Sequence, residues 1–308
     1  MQSSRVLVTG GAGFIGSHIV DAALAEGHEV AVVDNLSTGD EKNLNSRSRF
    51  FKADITDRDG IEKAFSDFQP EYVIHHAAQI DVRRSVSDPA FDARVNIEGS
   101  VNILEACRHH GVRKVVYASS AAVYGDPCYL PVDERHPIAP SAPYGISKHT
   151  VEHYLSVFHG LYGLPYVALR YSNVYGPRQD PKGEGGVVAI FTDRLLNGEG
   201  VRIFGDGEQT RDFVFVGDIA RANMMALTSS YCGIINVSSG SEISVNDLFA
   251  TMVRIRGQQV PCEHAPERPG EIRRSVLAND RAKEAIGWVP TVSLEDGLRQ
   301  TFGYQASS

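Results

Sequence analysis

The chain has 308 residues, 42% of them hydrophobic and 22% charged, enough to bury one large core or two unequal ones and unlike any disorder-rich class. Its formal net charge of −8 repels nucleic acid across the surface as a whole, so an anionic ligand must be met by a local group of arginines. No apolar run reaches the about 18 residues of a membrane span, and the glycine turn at Gly10 leaves no room for a cleaved signal peptide, which predicts a cytoplasmic protein without a membrane partner.

The apolar run Val6-Leu7-Val8 predicts a first strand, and Thr9-Gly-Gly-Ala-Gly-Phe-Ile-Gly16 then leads into a helix predicted from Ser17 to Glu26. A glycine turn between a buried strand and a helix N-terminus presents free backbone N–H groups that can hold a pyrophosphate. Gly10 permits the tight turn, Gly13 the approach of a cofactor backbone, and Gly16 the packing of helix on strand. Glycine spacing alone is weak, because many strand-to-helix turns hold glycines and no ligand. The next strand, Glu29 to Val33, supplies context by ending in Asp34. A carboxylate about 20 residues beyond the glycines accepts from a ribose 2′-OH and repels a 2′-phosphate. NAD is therefore expected rather than NADP.

Further apolar runs at Phe50, Tyr72 to Ile74, Val115 to Tyr117 and Tyr166 to Leu169 alternate with helical stretches. That rhythm predicts an α/β Rossmann fold, a doubly wound parallel sheet with helices on both faces. Asp88-Pro89 supplies N-cap and first turn for a helix to about His110, and Pro143-Tyr144 opens another to about Tyr162. Both carry more apolar surface than one sheet contact needs, which predicts a homodimer closed by these two helices. After Asn173 the pattern loosens into the Gly/Pro-rich stretch from Gly176 to Gly186 and then into shorter elements. Residues 1–173 are thus read as a dinucleotide-binding domain, with parts of 212–240 returning to it, and 174–308 mainly as a smaller interleaved lobe for the rest of the substrate.

Tyr144-Gly-Ile-Ser-Lys148 sets a phenol and an ammonium one helical turn apart. A nearby cation is expected to draw the phenol from about 10 toward neutrality, where it becomes a usable acid and base. Alone, the pair would be chance on a solvated helix face. Upstream, Ser120 follows a strand predicted from Lys114 to Ala118, at the sheet edge where open α/β folds bind ligands, and its hydroxyl can hold a substrate oxygen beside the phenol. By itself such a serine is more often a turn or helix cap. The doublets His75-His76 and His109-His110 suggest a metal, but neighbours in a strand or helix diverge, and no carboxylate or cysteine completes a ligand set. No metal is assigned. Cys107, Cys128, Cys232 and Cys262 form no Cys-x-x-Cys pair and are read as packing residues in a reducing compartment.

With the glycine turn, Asp34-Asn-Leu-Ser-Thr-Gly39, His76-Ala-Ala78, Ser120, Tyr144, Lys148 and Arg170-Tyr-Ser-Asn173 assembled, the chain resembles the extended short-chain dehydrogenase/reductase family. Within it, essentially the whole length is similar to UDP-glucose 4-epimerases and neighbouring nucleotide-sugar 4-epimerases. The resemblance implies an NAD site formed by Gly10, Gly13, Phe14, Ile15, Gly16, Asp34, Asn35, Ser37, Thr38, Gly39 and Tyr171. It puts Asp54 and Ile55 beside the adenine and Ala77, Ala78 and Gln79 along the cofactor. Asn96 braces the active-site helix, and Tyr144 and Lys148 also touch the cofactor, Lys148 at the nicotinamide ribose.

The same resemblance implies catalysis by Ser120, Tyr144 and Lys148 on a UDP-hexose held by Ser120, Tyr144, Asn173, Val188, Phe204, Arg211, Arg268, Glu271 and Ser275. Arg211 and Arg268 grip the diphosphate, which suits the planar fork of arginine, while Asn173 donates to it and Phe204 packs near the uracil. Arg254, Arg256, Arg281 and Arg299 are read as solvated or salt-bridged, and Arg178 is left open. Ser172 stands where an aromatic is usual, which alters the packing over the nicotinamide. Related dehydratases place an Asp-Glu pair just after the active-site serine or threonine, whereas Ala121 and Ala122 stand here and cannot transfer a proton. The implied reaction is therefore 4-epimerisation through a 4-keto sugar, with NAD tightly held because net redox is zero. A 4-epimerase of a uronic acid or an N-acetylhexosamine is the neighbouring alternative, and a non-catalytic NAD-sensing regulator the alternative from another class. Ser275 falls at the gate beside the C2 substituent of the sugar, and its small size leaves room for an N-acetyl group.

Overall fold

The computed structural model describes residues 3–182, 186–267 and 272–306. The first half runs β1 (Arg5–Thr9), α1 (Phe14–Ala25), β2 (Glu29–Asp34), β3 (Arg49–Lys52), α2 (Arg58–Phe68), β4 (Tyr72–His75), α3 (Val82–Ser87), α4 (Pro89–Ala93), α5 (Gly99–His109), β5 (Lys114–Ser120), α6 (Pro143–Tyr162) and β6 (Tyr166–Tyr171). The second runs β7 (Asn173–Tyr175), α7 (Val187–Leu196), β8 (Val201–Phe204), β9 (Thr210–Arg211), β10 (Phe213–Phe215), α8 (Val216–Thr228), β11 (Gly233–Val237), β12 (Ile243–Ser244), α9 (Val245–Arg256), β13 (Cys262–Ala265), α10 (Asp280–Ile286) and α11 (Leu294–Gln305).

Among the described residues the main sheet has seven strands in the order β11-β6-β5-β4-β1-β2-β3, and every neighbouring pair is parallel. Helices cover both faces, which explains the near-continuous apolar strands: Val6, Leu7, Val8, Ala31, Val32 and Val33 are all fully buried. The winding reverses between β1 and β4, where Thr9 lies in register with His75. In such sheets ligands bind in the crevice outside the C-terminal ends of the strands at this reversal.

One face packs Ile19, Val20, Ile219 and Trp288, and the other packs Phe65, Ile103, Leu104 and Leu155. A third cluster, built on Phe191, Ile203, Phe215, Leu248 and Phe302, underlies the smaller lobe. The chain returns to the first core with α8 and β11, and again with Ala282, Ile286 and Trp288, whose indole Nε1 donates to the Asp218 carbonyl at 2.9 Å. That second return goes beyond the stretch expected from the sequence. It follows from the apolar face of the short helix α10.

Element boundaries differ where local chemistry decides them. α1 begins at Phe14, earlier than Ser17, because Gly13 in extended conformation already serves as N-cap. β5 runs past Ala118 through Ser120, which lies in register with Tyr171. The helical stretch from Pro89 to His109 is capped by Asp88, which accepts from the Phe91 N–H at 3.0 Å, and it contains a π-turn at Arg94–Glu98. α6 ends at Gly163, which takes the left-handed conformation (φ 70°) that glycine permits.

Two surface readings are corrected. Cys107 is packed in the core and half-buried Cys232 packs against it, but Cys128 and Cys262 are exposed, since these two fall on a loop and an edge strand. The exposed apolar surplus lies on α6 (Ile146, Tyr154, Val157, Leu161, Tyr162) and α3 (Val82, Val86). It is not on the stretch from Pro89 to His109, whose Ile103, Leu104, Ala106 and Cys107 are spent on the sheet face. Among the described residues no helix is long and apolar enough to cross a membrane.

Candidate active site

The glycine turn sits at the reversal of the sheet. Gly10 has φ +71°, and a Cβ there would stand 2.7 Å from the Ala77 nitrogen, while a Cβ on Gly16 would stand 2.1 Å from the Gly10 carbonyl oxygen. Turn, helix and the loop after β4 close on one another only without side chains. α1 has no side-chain cap, so the N–H groups of Phe14, Ile15 and Gly16 are left for an anion. The side chains of Phe14 and Ile15 pack on the smaller lobe's core, so what these residues offer a ligand is backbone.

Asp34 is buried at the end of β2, where Oδ2 accepts from the Ala12 N–H at 3.0 Å and Oδ1 from the Leu36 N–H at 2.8 Å. Each oxygen keeps a second lone pair for a ligand hydroxyl. Asn35, Ser37 and Thr38 are exposed on the following loop, and a Cβ on Gly39 would come within 2.9 Å of the Ala12 Cβ. Asn35 Nδ2 donates to Asp54 Oδ2 at 2.6 Å. Burial opposes ionisation of Asp54, yet hydrogen bonds from Thr56 and Asn35 hold it below the usual carboxylate range. Ile55 turns its side chain into the core. An uncapped first turn, a cradle that any Cβ would fill and a buried carboxylate at the next strand end together fit a dinucleotide.

The loop after β4 is organised by a set of hydrogen bonds that the sequence did not reveal. Thr9 Oγ1 lies 2.6 Å from His75 Nδ1 and accepts from the N–H groups of His76 and Ala77, both at 3.1 Å. His75 Nε2 reaches Ser100 on one face of the sheet, while His76 Nε2 meets Asn223 and the Tyr171 hydroxyl on the other. Burial pushes both rings down to about 3, so both stay neutral. The Tyr171 phenol accepts from Asn223 Nδ2 at 2.8 Å and its ring stacks on His76 in the core.

Ala77 and Ala78 line the start of this loop, and Asn96, on the π-turn, fastens its end. Asn96 Oδ1 accepts from the Gln79 N–H at 2.7 Å, and Nδ2 reaches the Gln79 carbonyl, Asp92 and Ser147 Oγ on α6. The Gln79 amide is committed to Asp92 and Asp81, so its side chain shapes the loop rather than offering a free donor.

Ser120 ends β5 and Tyr144 and Lys148 open α6, so the three meet at the C-terminal edge of the sheet. Close approach is possible because residue 145 is glycine, where a Cβ would stand 2.5 Å from the Ala122 carbonyl oxygen. Ser120 Oγ accepts from the Ala122 N–H at 3.2 Å as a turn cap, and its hydroxyl lies beside the Tyr144 phenol, whose ionised form it favours. Lys148 Nζ donates to the Ala118 carbonyl at 2.8 Å and stands 5.8 Å from the Tyr144 ring centroid. The protein's own groups do not draw the phenol toward neutrality, contrary to expectation. Burial pushes Tyr144 up to about 12 against the Ser120 hydroxyl, and burial pulls Lys148 down to about 8 against the charges of Asp92 and Glu152.

Behind these residues Glu152 is buried. It accepts from Ser119 Oγ at 2.7 Å and from Arg170 through Nε at 2.8 Å and Nη2 at 2.6 Å. The pair joins α6, β5 and β6 beneath the catalytic edge. A charged residue on the buried stripe with Lys148, Val151 and Leu155 was the available signal.

On the lobe side, Asn173 is exposed at the start of β7, and its N–H donates to the Asp212 carbonyl at 2.9 Å. Arg211 Nη1 donates to the Ile272 carbonyl at 2.7 Å, and the Thr210 N–H donates to the Arg273 carbonyl at 2.9 Å, which places β9 beside the segment carrying half-buried Ser275. Phe204, Gly205, Gln209, Glu267, Ile272 and Arg273 line one small cleft. Val188 buries its side chain in the lobe core, which leaves its backbone, in the uncapped first turn of α7, for a ligand. Arg268 and Glu271 lie outside the described residues. Arg178 pairs with Asp21 at 2.7 Å, Arg254 and Arg299 hold Glu295, and Arg281 holds Glu134. Buried Asp212 accepts from Ser172, Ser239, Gly240 and Leu277, which ties the lobe to the end of β6 and turns Ser172 toward that joint.

Residues 6–238 match the model of the NAD dependent epimerase/dehydratase family. The structure superposes on the UDP-glucose 4-epimerase of Thermotoga maritima, solved with UDP-glucose, with a TM-score of 0.95 and 47% identity, covering 98% of this chain and 99% of that one. It is also similar to the UDP-glucose 4-epimerase of Thermus thermophilus in complex with NAD (TM-score 0.93, 47% identity, 99% of each chain). A third relative is the UDP-N-acetylglucosamine 4-epimerase of Methanobrevibacter ruminantium in complex with UDP-N-acetylmuramic acid (TM-score 0.95, 40% identity, 100% of this chain and 99% of that one). Fold, glycine cradle and matched length agree, and the chain belongs to the NAD dependent epimerase/dehydratase family.

Proposed function

We propose that the chain is a UDP-glucose 4-epimerase that interconverts UDP-glucose and UDP-galactose. The observation that carries this reading is the set of Ser120, Tyr144 and Lys148 at one sheet edge, followed by Ala121 and Ala122 where an eliminating enzyme needs acids. Tyr144 takes the proton of the 4-hydroxyl and later returns it. Ser120, beside the phenol, holds the sugar oxygen next to it. Lys148, fixed by the Ala118 carbonyl, brings positive charge toward the phenolate. NAD is the cofactor, and when bound it supplies the hydride acceptor and donor together with a positive charge beside the phenol. Residues Gly10 to Gly16 and Asp34 hold it, Arg211 and Asn173 take the diphosphate, and Phe204 lies near the uracil.

Small Ser275 supports a wider substrate range that includes UDP-N-acetylglucosamine, and the likeness to the archaeal N-acetylglucosamine enzyme agrees with it. The test is a panel of UDP-hexoses, uronic acid included, with NAD content measured in the same preparation. Wild type is expected to convert both UDP-glucose and UDP-N-acetylglucosamine, and Ser275→Tyr to lose the second while keeping most of the first, because the ring overfills the space near C2. Retained NAD with no sugar converted would favour a cofactor-sensing protein instead.

We also read the chain as a cytoplasmic homodimer. Exposed thiols at Cys128 and Cys262 suit a reducing compartment. Ile146, Tyr154, Val157 and Leu161 form an apolar stripe on the outer face of α6 that a second copy would cover. Sedimentation should give a dimer for wild type and a monomer for Val157→Asp, and a monomeric wild type would refute the interface.

A further inference from the structure

On the flank of α6, beside its outer apolar stripe, two imidazoles stand edge to edge. His149 and His153 are 4 residues apart, one turn of the helix, and their Nε2 atoms lie 3.0 Å apart. The ring centroids are farther apart, at 4.5 Å, so the nitrogen edges meet rather than the ring faces. The other nitrogen of His149, Nδ1, lies 2.9 Å from Glu152 Oε2. Glu152 is itself fixed by Arg170 and Ser119. An ionised carboxylate only accepts, so it takes the Nδ1 proton and leaves the Nε2 lone pair of His149 directed at His153. Two nitrogens so placed share either a proton or a cation.

An ordered carboxylate behind an imidazole is the arrangement that fixes the tautomer and ring angle of metal-ligating histidines and raises their basicity. The distance also fits, because a tetrahedral zinc with Zn–N bonds of about 2.0–2.1 Å sets two imidazole nitrogens roughly 3.3 Å apart. A small opening of the pair admits the ion. His149 is 26% exposed and His153 more so, and helical spacing sets both on the flank of α6 with exposed Ser156 and Gly160, to one side of the apolar stripe assigned to a second copy, which leaves the outer coordination positions to water.

We infer that His149 and His153 form a binding site for a transition-metal dication of the zinc, cobalt, nickel or copper kind, with Glu152 orienting His149 behind it. The ion takes the Nε2 lone pair of each ring, with the His149 proton on Nδ1 toward Glu152 and the single proton of neutral His153 moved to its Nδ1, so no proton is lost from the pair. Imidazole suits these metals, whereas magnesium and calcium need oxygen ligands. Tyr144, Ser120 and Lys148 need no such ion, so the site stands apart from the reaction.

The test uses tag-free, chelator-washed protein with its bound NAD, in the oligomeric state in which it is purified, titrated with cobalt, nickel or copper chloride by calorimetry and, for cobalt, visible absorption. Affinity should rise from cobalt to nickel to copper, and magnesium chloride should not compete. His153→Ala and, separately, His149→Ala should each weaken nickel binding by at least the ~10-fold that loss of an outer-shell partner alone can cost. His109→Ala, on another helix, should leave it unchanged, and NAD content should be unchanged in all three as the check of folding. Binding that is absent in wild type, equal in wild type and both pair variants, or displaced by magnesium would overturn the site.

Discussion

Replacing Tyr144 by Phe is expected to lower turnover by ~10²- to 10⁴-fold, the range for loss of a positioned acid and base, while bound NAD and melting temperature stay near wild type. The ring remains and only the hydroxyl is lost. Ser120 keeps its bond from the Ala122 N–H at 3.2 Å, and Lys148 keeps the Ala118 carbonyl at 2.8 Å, so neither neighbour is released. The glycine cradle is untouched, which separates loss of chemistry from loss of cofactor. Measured together, kcat on UDP-glucose and NAD released on denaturation decide the matter. A Phe variant with near wild-type turnover would remove Tyr144 from its proposed role, and one that had also lost NAD would make the residue a cofactor-binding group instead.

Gly16→Ala is expected to fail in the opposite way, losing NAD first and activity as a consequence. The added Cβ would stand 2.1 Å from the Gly10 carbonyl oxygen, 2.8 Å from its carbon and 3.0 Å from the Gly11 Cα. All three are backbone atoms and cannot swing aside, so α1 must lift off the turn. Overpacking of this kind costs about 1–3 kcal/mol in stability, and the displaced first turn no longer aims its N–H groups at one point. Purified variant should therefore carry little NAD and melt at a lower temperature. Gly27, which has open space around its Cβ position but φ +86°, tests only backbone strain and is the contrasting site. Full NAD occupancy in Gly16→Ala would show that the cradle tolerates the shift.

Patterns that act over one turn or one strand were legible in the sequence. The glycine turn, Asp34, the alternation of strands and helices, and the Tyr144/Lys148 spacing all depend on residues close along the chain, where backbone geometry converts spacing directly into position. The matched family and the parallel sheet agree with that reading. Tertiary contacts decided the rest, because they set which of several allowed partners a side chain meets. Tyr171 and Val188 read as site residues in the sequence, and only the fold shows that Asn223, His76 and the lobe core meet their side chains. The phenol of Tyr144 shows the same division: spacing places Lys148 one turn away, but only the folded structure turns that ammonium to the Ala118 carbonyl and buries the phenol, which pushes it up. Glu152 is one charge among many until β5 and β6 bring Ser119 and Arg170 to it across the sheet. Local spacing determined what chemistry the chain can hold, and burial with long-range hydrogen bonding decided which groups are left to perform it.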